Sequence, residues 1–345
     1  MRGVVFTEHG QDRLEIRDDV EVLPPGPGEI RVRIHAAGVC HSDYSTWQGT
    51  MALPAPGILG HEGAGEVTEV GDGVTSVAVG DRIIVSWVPP CGACPACRRG
   101  EPHLCRTHLM KAGISEGRFL VGGVPHFGMA GIGTFAEEVV LPAYAAVPLD
   151  DDVPYEIGAL IGCGVTTGFG AVVNVARVRP GDSVAVIGCG GVGIAAIQAA
   201  RISGAAVVAA IDTVPHKLAW ARDFGATHAV GPGDLADLRA VVATDEGFDH
   251  VVEAVGLSAT IRQAYDLTRR GGQTIVIGAG RFDDAVAFNA FELFFNDKAI
   301  KGSWFGGADV RRDYPKLQAL WRAGRLDLEG MITARRPLEE VNEAF

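Results

Sequence analysis

The 345-residue chain has no run of lysines and arginines, and its 30 basic side chains are outnumbered by 42 acidic ones, for a formal charge of −12. An acidic surface with no basic stripe repels phosphate backbones, which argues against a nucleic-acid partner. The first nine residues, Met1 to His9, lack the apolar centre of a secretion signal and read as a strand. The most apolar stretch, 184–200, is broken by glycines and Gln198 and ends at Arg201. It is too short and too glycine-rich for a membrane helix. Internal repeats and low-complexity tracts are absent. The expectation from these absences is a cytoplasmic protein with no membrane span. Seven cysteines, an odd number, cannot all pair. In a reducing compartment they read as metal ligands or reactive groups instead of disulfides. What the chain has in abundance is glycine, 47 residues, about twice the usual share and without a collagen-like period. Such glycines serve turns and close backbone approaches. A hydrophobic share of 47% with 21% charged residues is that of a folded protein. Single cores rarely exceed roughly 250–300 residues, so two domains are expected.

The first 150 residues read as β-structure with long loops. Ile30, Val32 and Ile34 alternate with Arg31, Arg33 and His35, as in a half-buried strand. Strands are also expected over Asp81–Ser86 and Phe135–Val140. Beyond Asp150–Asp152 the pattern changes to strands at 183–187, 206–211, 249–255 and 273–277, with helices at 192–203, 216–224 and 259–269 between them. This alternation signals βαβ units and a parallel sheet.

After the strand 183–187 comes Gly188-Cys189-Gly190-Gly191-Val192-Gly193, a G-x-G-x-x-G loop that opens a helix. Asp212 lies 19 residues past Gly193, at the end of the next strand. Gly188 suits a tight turn, Gly190 lets backbone approach a pyrophosphate, and Gly193 lets helix pack on sheet. The helix N-terminus, with Gly191 and Val192, favours the anion. Asp212 accepts from a ribose hydroxyl and repels a 2′-phosphate, which favours NAD over NADP. Lys217 on the following helix is within reach of the ribose edge. A glycine-rich helix start without a ligand is the plainer alternative.

Cys91, Cys94, Cys97 and Cys105 form C-x2-C-x2-C-x7-C. Four thiolates this close can close a tetrahedral shell around a structural zinc. His103 and His108 flank the last of them. Cys40, His61 and Cys163 are of the types that make a catalytic zinc set with one open position. Spacing equally allows two small core thiols and a satisfied histidine. Cys189, inside the glycine loop, carries no assigned chemistry.

Six motifs occur in order: 38–43, 60–65, the four-cysteine loop, 162–168, the glycine loop with Asp212, and Gly271-Gly272-Gln273 leading to Gly278. In this combination the chain resembles the zinc-dependent alcohol dehydrogenases of the medium-chain dehydrogenase/reductase superfamily, over its whole length. The resemblance implies an α/β protein. A GroES-like, β-rich, zinc-binding catalytic domain would span 1–164 and 305–345. A Rossmann domain with a doubly wound parallel sheet would bind NAD over 165–304. It implies two zinc ions per chain, one on Cys40, His61 and Cys163 and one on Cys91, Cys94, Cys97 and Cys105. It further implies that Asp43 orients His61, that Glu62 sits behind the metal, and that Ser42 hydrogen-bonds the substrate oxygen. Thr167 and Ile277 would lie near the nicotinamide, His41 near the cofactor phosphates, and Trp87 and Met110 in the alcohol pocket. The implied reaction is hydride transfer between a primary or secondary alcohol and NAD, in a homodimer or homotetramer.

Three departures from the family pattern stand out. Ser45 occupies the position of a proton-relaying histidine, His41 the position of a phosphate-binding arginine, and Asn342–Phe345 ends inside what should be the last helix. Three other readings remain open. They are a thiol-adduct formaldehyde dehydrogenase, an alcohol:acceptor oxidoreductase with tightly held cofactor, and a dinucleotide-binding sensor or structural protein.

Overall fold

The computed structural model describes residues 1–51, 53–107, 118–235, 238, 242 and 246–345. Contacts divide it into two units. One comprises Met1–Cys163, Asp309–Ala319 and Leu328–Phe345; the other comprises Gly164–Ala308 and Leu320–Asp327.

In the first unit the strands are β1 (Gly3–Phe6), β2 (Glu15–Arg17), β3 (Val20–Val22), β4 (Glu29–Gly38), β5 (Gly57–Ile58), β6 (Glu62–Val70), β7 (Arg82–Val85), β8 (Phe119–Val121), β9 (Val124–Gly128), β10 (Glu138–Pro142) and β11 (Ala146–Pro148). They form sheets ordered β2-β1-β5-β9-β8-β3 and β10-β4-β6-β7-β11. The alternation in β4 has a direct cause. Ile30 and Val32 are fully buried, while Arg31 on the opposite face pairs with Glu69 and Glu138. The strand expected over 135–140 begins only at Glu138. Phe135 belongs to a separate apolar cluster with Phe6, Trp47 and Leu59, and its ring meets Phe345 edge-on.

In the second unit β12 (Ser183–Ile187), β13 (Val207–Ile211), β14 (His228–Val230), β15 (Phe248–Glu253), β16 (Thr268–Val276) and β17 (Ala299–Gly302) make one sheet, ordered β14-β13-β12-β15-β16-β17. Every neighbouring pair is parallel. The order reverses between β12 and β15, and the C-terminal ends of strands at such a switch point are where α/β sheets bind ligands. The helix expected to run to Arg269 ends at Leu267. Thr268 turns extended there, and its Oγ1 donates to the Ala264 carbonyl at 2.8 Å, satisfying one of the last helical acceptors.

The apolar helical run Tyr155–Ala176, 22 residues, is by length and composition capable of crossing a membrane, but 67% of its most apolar window is buried within the fold. Core helices meet the same criteria. Its first part, Tyr155–Leu160, packs on β4 and β6.

Candidate active site and metal centres

Antiparallel pairing of β4 with β6 places Gly38 opposite Glu62, Ala37 opposite Gly63 and Ala36 opposite Ala64. Cys40 lies two residues beyond the end of β4, and His61 immediately precedes β6. The register of one strand pair therefore brings both to the same end of the sheet. Small residues at this end admit the overlying helix: a Cβ on Gly158 would stand 3.0 Å from that of Ala64. The helix then delivers Cys163 from a π-helical segment, Ile161–Val165. Segments of this kind frequently mark functional sites. One ligand atom from each of Cys40, His61, Glu62 and Cys163 lies within 4.8 Å of the others.

Asp43 organises this cluster. Fully buried, it accepts through Oδ2 from the Cys40 N–H at 3.1 Å and through Oδ1 from the Gly60 N–H at 2.8 Å. Its Oδ1 also stands 3.3 Å from His61 Nδ1. Burial works against a charged His61, but Asp43 and Cys40 outweigh it and hold the imidazole well above its usual range. The Cys40 thiol is held well below its usual range, first by a hydrogen bond with Cys163 and, against the effect of burial, by the charge of His61. Trp87, half-buried, meets the His61 ring edge-to-face at 5.8 Å.

These donors fit a zinc ion. Bonds of about 2.3 Å to sulfur in tetrahedral geometry put neighbouring donors about 3.8 Å apart, and two thiolates with one imidazole leave a position open. The partner of His61 Nδ1 is the kind of outer group that orients ligating histidines.

Cys91, Cys94, Cys97 and Cys105 form a second cluster of the same compactness. Backbone N–H groups point at its sulfurs: Cys94 N at Cys91 Sγ (3.3 Å), Cys91 N at Cys105 Sγ (3.4 Å) and Cys97 N at Cys94 Sγ (3.5 Å). The Thr107 hydroxyl donates to Cys91 Sγ at 3.3 Å. That bond leads in lowering the Cys91 thiol to about 6, whereas burial, aided by neighbouring thiols, pushes Cys97 up to about 12. Thiols this crowded need a cation to ionise together, and amides aimed at sulfur suit bound thiolates. All seven cysteines are free of disulfides. His103 lies outside the cluster; His108 and Met110 lie outside the described residues.

In the second unit, Gly188 has φ +92 and donates its N–H to the Ile211 carbonyl at 2.8 Å. A Cβ on Gly193 would stand 1.8 Å from the Gly188 carbonyl oxygen, whereas Gly190 and Gly191 face open space. The helix Gly191–Ile202 starts here, with Val192 in its first turn. Asp212 is tied to the loop: Oδ2 accepts from Cys189 N at 2.8 Å and Oδ1 from Val214 N at 2.9 Å. Each oxygen keeps acceptor capacity for a ribose hydroxyl. Lys217 lies in the first turn of the following helix. Ile277 follows β16, its N–H bonded to the Glu253 carbonyl, and Thr167 is half-buried in the helix after Cys163. Cys189 is buried, and burial with the nearby Asp212 pushes its thiol up to about 12.

Residues 26–151 match the alcohol dehydrogenase GroES-like domain and residues 191–322 the zinc-binding dehydrogenase family. S-(hydroxymethyl)glutathione dehydrogenase of Escherichia coli O1:K1 is 39% identical, over 95% of this chain and 91% of that protein. Alcohol dehydrogenase B of Mycobacterium tuberculosis is 37% identical, over 95% and 90%. The chain belongs to the zinc-dependent alcohol dehydrogenases of the medium-chain dehydrogenase/reductase superfamily. The crystal structure of benzyl alcohol dehydrogenase from Acinetobacter calcoaceticus superposes with a TM-score of 0.90 at 28% identity, covering 99% of this chain and 94% of that one. As a zinc-dependent alcohol dehydrogenase the protein is an oxidoreductase, with zinc and a nicotinamide dinucleotide as cofactors.

Sequence reasoning passed over three residues of this dehydrogenase. A Cβ on Gly38 would stand 2.1 Å from Glu62 Oε2, so only glycine leaves room for that carboxylate. Gly60, at φ +93, would press a Cβ to 2.6 Å from Phe135 N. Tyr314 donates its hydroxyl hydrogen to the Gly162 carbonyl at 2.8 Å. The first two have a signal in their motifs; Tyr314 reads as ordinary core.

Proposed function

We propose that this enzyme oxidises a primary or secondary alcohol to the aldehyde or ketone, reversibly, with NAD as hydride acceptor. The observation that carries the reading is the convergence of Cys40, His61 and Cys163, buried or half-buried, with Trp87 beside the imidazole. Zinc held by these three would supply Lewis acidity at the alcohol oxygen, lowering the pKa of the hydroxyl toward neutrality. Asp43 fixes the direction of the imidazole, and Glu62 holds a carboxylate oxygen within 4.8 Å of these donors. Ser42, half-buried in the first turn after Cys40, accepts the hydroxyl proton and passes it outward. Asp212, already engaged by Cys189 and Val214, accepts from the ribose hydroxyls and repels a 2′-phosphate. A spectrophotometric screen of aliphatic, aromatic and secondary alcohols is expected to give NADH with at least one class and little NADPH. No reduction with any member would overturn the reading.

A second reading is favoured by the Escherichia coli relative, whose name denotes a dehydrogenase of a hydroxymethyl thiol adduct. Adding glutathione to formaldehyde in the same screen separates the two: acceleration confined to that mixture favours the adduct.

Ser45 Oγ lies 3.3 Å from His41 Nδ1, one helical turn away. General-base assistance is worth roughly 10²–10⁴-fold where a group is well placed. Ser45→His is therefore expected to raise alcohol oxidation near neutral pH several-fold or more. An unchanged pH–rate profile would show that proton exit does not limit turnover.

We also place the enzyme in the cytoplasm as a homodimer or homotetramer. Thiols without disulfides at both clusters suit a reducing compartment. Among the described residues, β17 is an edge strand of its sheet, with one flank unpaired. The nearby helix Ala290–Asn296 exposes Phe291 (68%), Phe294 (79%) and Phe295 (53%), more apolar surface than a monomer needs. Sedimentation as a monomer at micromolar concentration would refute the association.

A further inference from the structure

Resting on the metal reading above, we infer that Tyr314 is a positioning residue for the third zinc ligand, holding the peptide from which Cys163 projects. Its hydroxyl donates to the carbonyl of Gly162, the residue immediately before Cys163, at 2.8 Å. The phenol is fully buried. Cys163 lies in a π-helical segment, where backbone bonds run from i to i+5 in place of the regular α-helical ladder. An external donor there fixes which way the 162–163 peptide faces, and with it the direction of the Cys163 Cα–Cβ bond.

The donor is itself firmly held. Tyr314 belongs to the helix Val310–Arg322, which is tied to the first unit at two further points. Arg311 donates to the Pro90 carbonyl at 2.9 Å. Gln318 accepts from Asp150 N at 2.9 Å and donates to the Pro148 carbonyl at 3.1 Å. The hydroxyl thus arrives at Gly162 from a helix with little freedom to follow a displaced ligand. Metal–ligand distances tolerate only about 0.2 Å, so a loosened Gly162–Cys163 peptide weakens the Cys163–zinc bond while leaving the four-cysteine cluster unaffected.

The test compares the Tyr314→Phe holoenzyme with wild type and with Tyr265→Phe. Tyr265 is an equally buried tyrosine in the second unit, with its hydroxyl on the Glu292 carbonyl at 3.4 Å. Zinc per chain is measured first, then zinc release into excess chelator, then the thiolate-to-metal absorption after cobalt replaces the catalytic zinc. Loss of an outer hydrogen bond costs roughly 10–100-fold in metal affinity. Tyr314→Phe is accordingly expected to release one of its two zinc ions about 10-fold or more faster, with a shifted cobalt band and an unchanged second phase. Tyr265→Phe is expected to release both at wild-type rates, whatever its melting temperature. Wild-type release and an unshifted band in Tyr314→Phe would overturn the inference, leaving the metal reading intact. A wild-type chain holding zinc only at the four-cysteine cluster would overturn both.

Discussion

Asp43→Ala is expected to lower kcat/KM by at least about 100-fold and to leave the chain short of one zinc, because a single carboxylate serves three groups. It accepts from the N–H of Cys40, a proposed zinc ligand, and from that of Gly60, the residue before His61, another. It also faces His61 Nδ1. Removing it strands two backbone donors in the interior, at about 1–3 kcal/mol each, and frees the imidazole to rotate. Outer groups of this kind are worth roughly 10–100-fold in metal affinity or activity, and the two backbone bonds add to that. Asp43→Asn keeps one accepting oxygen and should fall between alanine and wild type. Zinc content by atomic absorption, with kcat/KM for the best alcohol from the screen, checks the prediction. An alanine variant with full zinc and wild-type kcat/KM would remove Asp43 from the site.

Gly193→Ala is the second large effect, and it acts through sterics. The new methyl would stand 1.8 Å from the carbonyl oxygen and 2.9 Å from the carbonyl carbon of Gly188. Both are backbone atoms of the glycine turn, so neither can swing aside. The helix Gly191–Ile202 must move off the sheet. Overpacking costs typically 1–3 kcal/mol and occasionally more, which for a unit of this size lowers melting by roughly 2–12 °C. NADH binding should be lost with it. Gly190→Ala provides the contrast. Its φ of −76 is open to any residue and its Cβ meets nothing within 4 Å. The fold should melt normally while NADH affinity falls, since on the proposed cofactor placement the methyl would occupy the approach to the pyrophosphate. Differential scanning fluorimetry and NADH fluorescence titration separate the two. A Gly193→Ala chain that melts and binds like wild type would contradict the packing argument.

Local features were legible in the sequence and distant convergences were not. The glycine loop, Asp212 and the four-cysteine loop each lie within a few dozen residues, so spacing constrains their geometry. Cys40, His61 and Cys163 meet only through the β4–β6 register and the placement of a helix, neither of which spacing encodes. There, family resemblance supplied the grouping. Errors of extent arose where one side chain answers to two demands. Phe135 looks like strand by hydrophobicity but fills the cluster around Trp47. Thr268 looks like the last turn of a helix but ends it by returning its own hydroxyl to Ala264. Tyr314 gave no signal because its partner is a carbonyl, and carbonyls are alike in every sequence.

The first unit is assembled from three separate stretches of chain, and this sets an order of events on the ribosome. Cys40, His61 and Cys163 have all been polymerised once residue 163 is added, yet the helix that carries Tyr314 is translated some 150 residues later. Asn342, which bonds both the N–H and the carbonyl of Leu14, comes later still. At roughly 5–20 residues per second, the nascent thiols wait on the order of ten seconds or more for their scaffold. Most of the dinucleotide-binding sheet emerges within that delay, so it is the part free to close first.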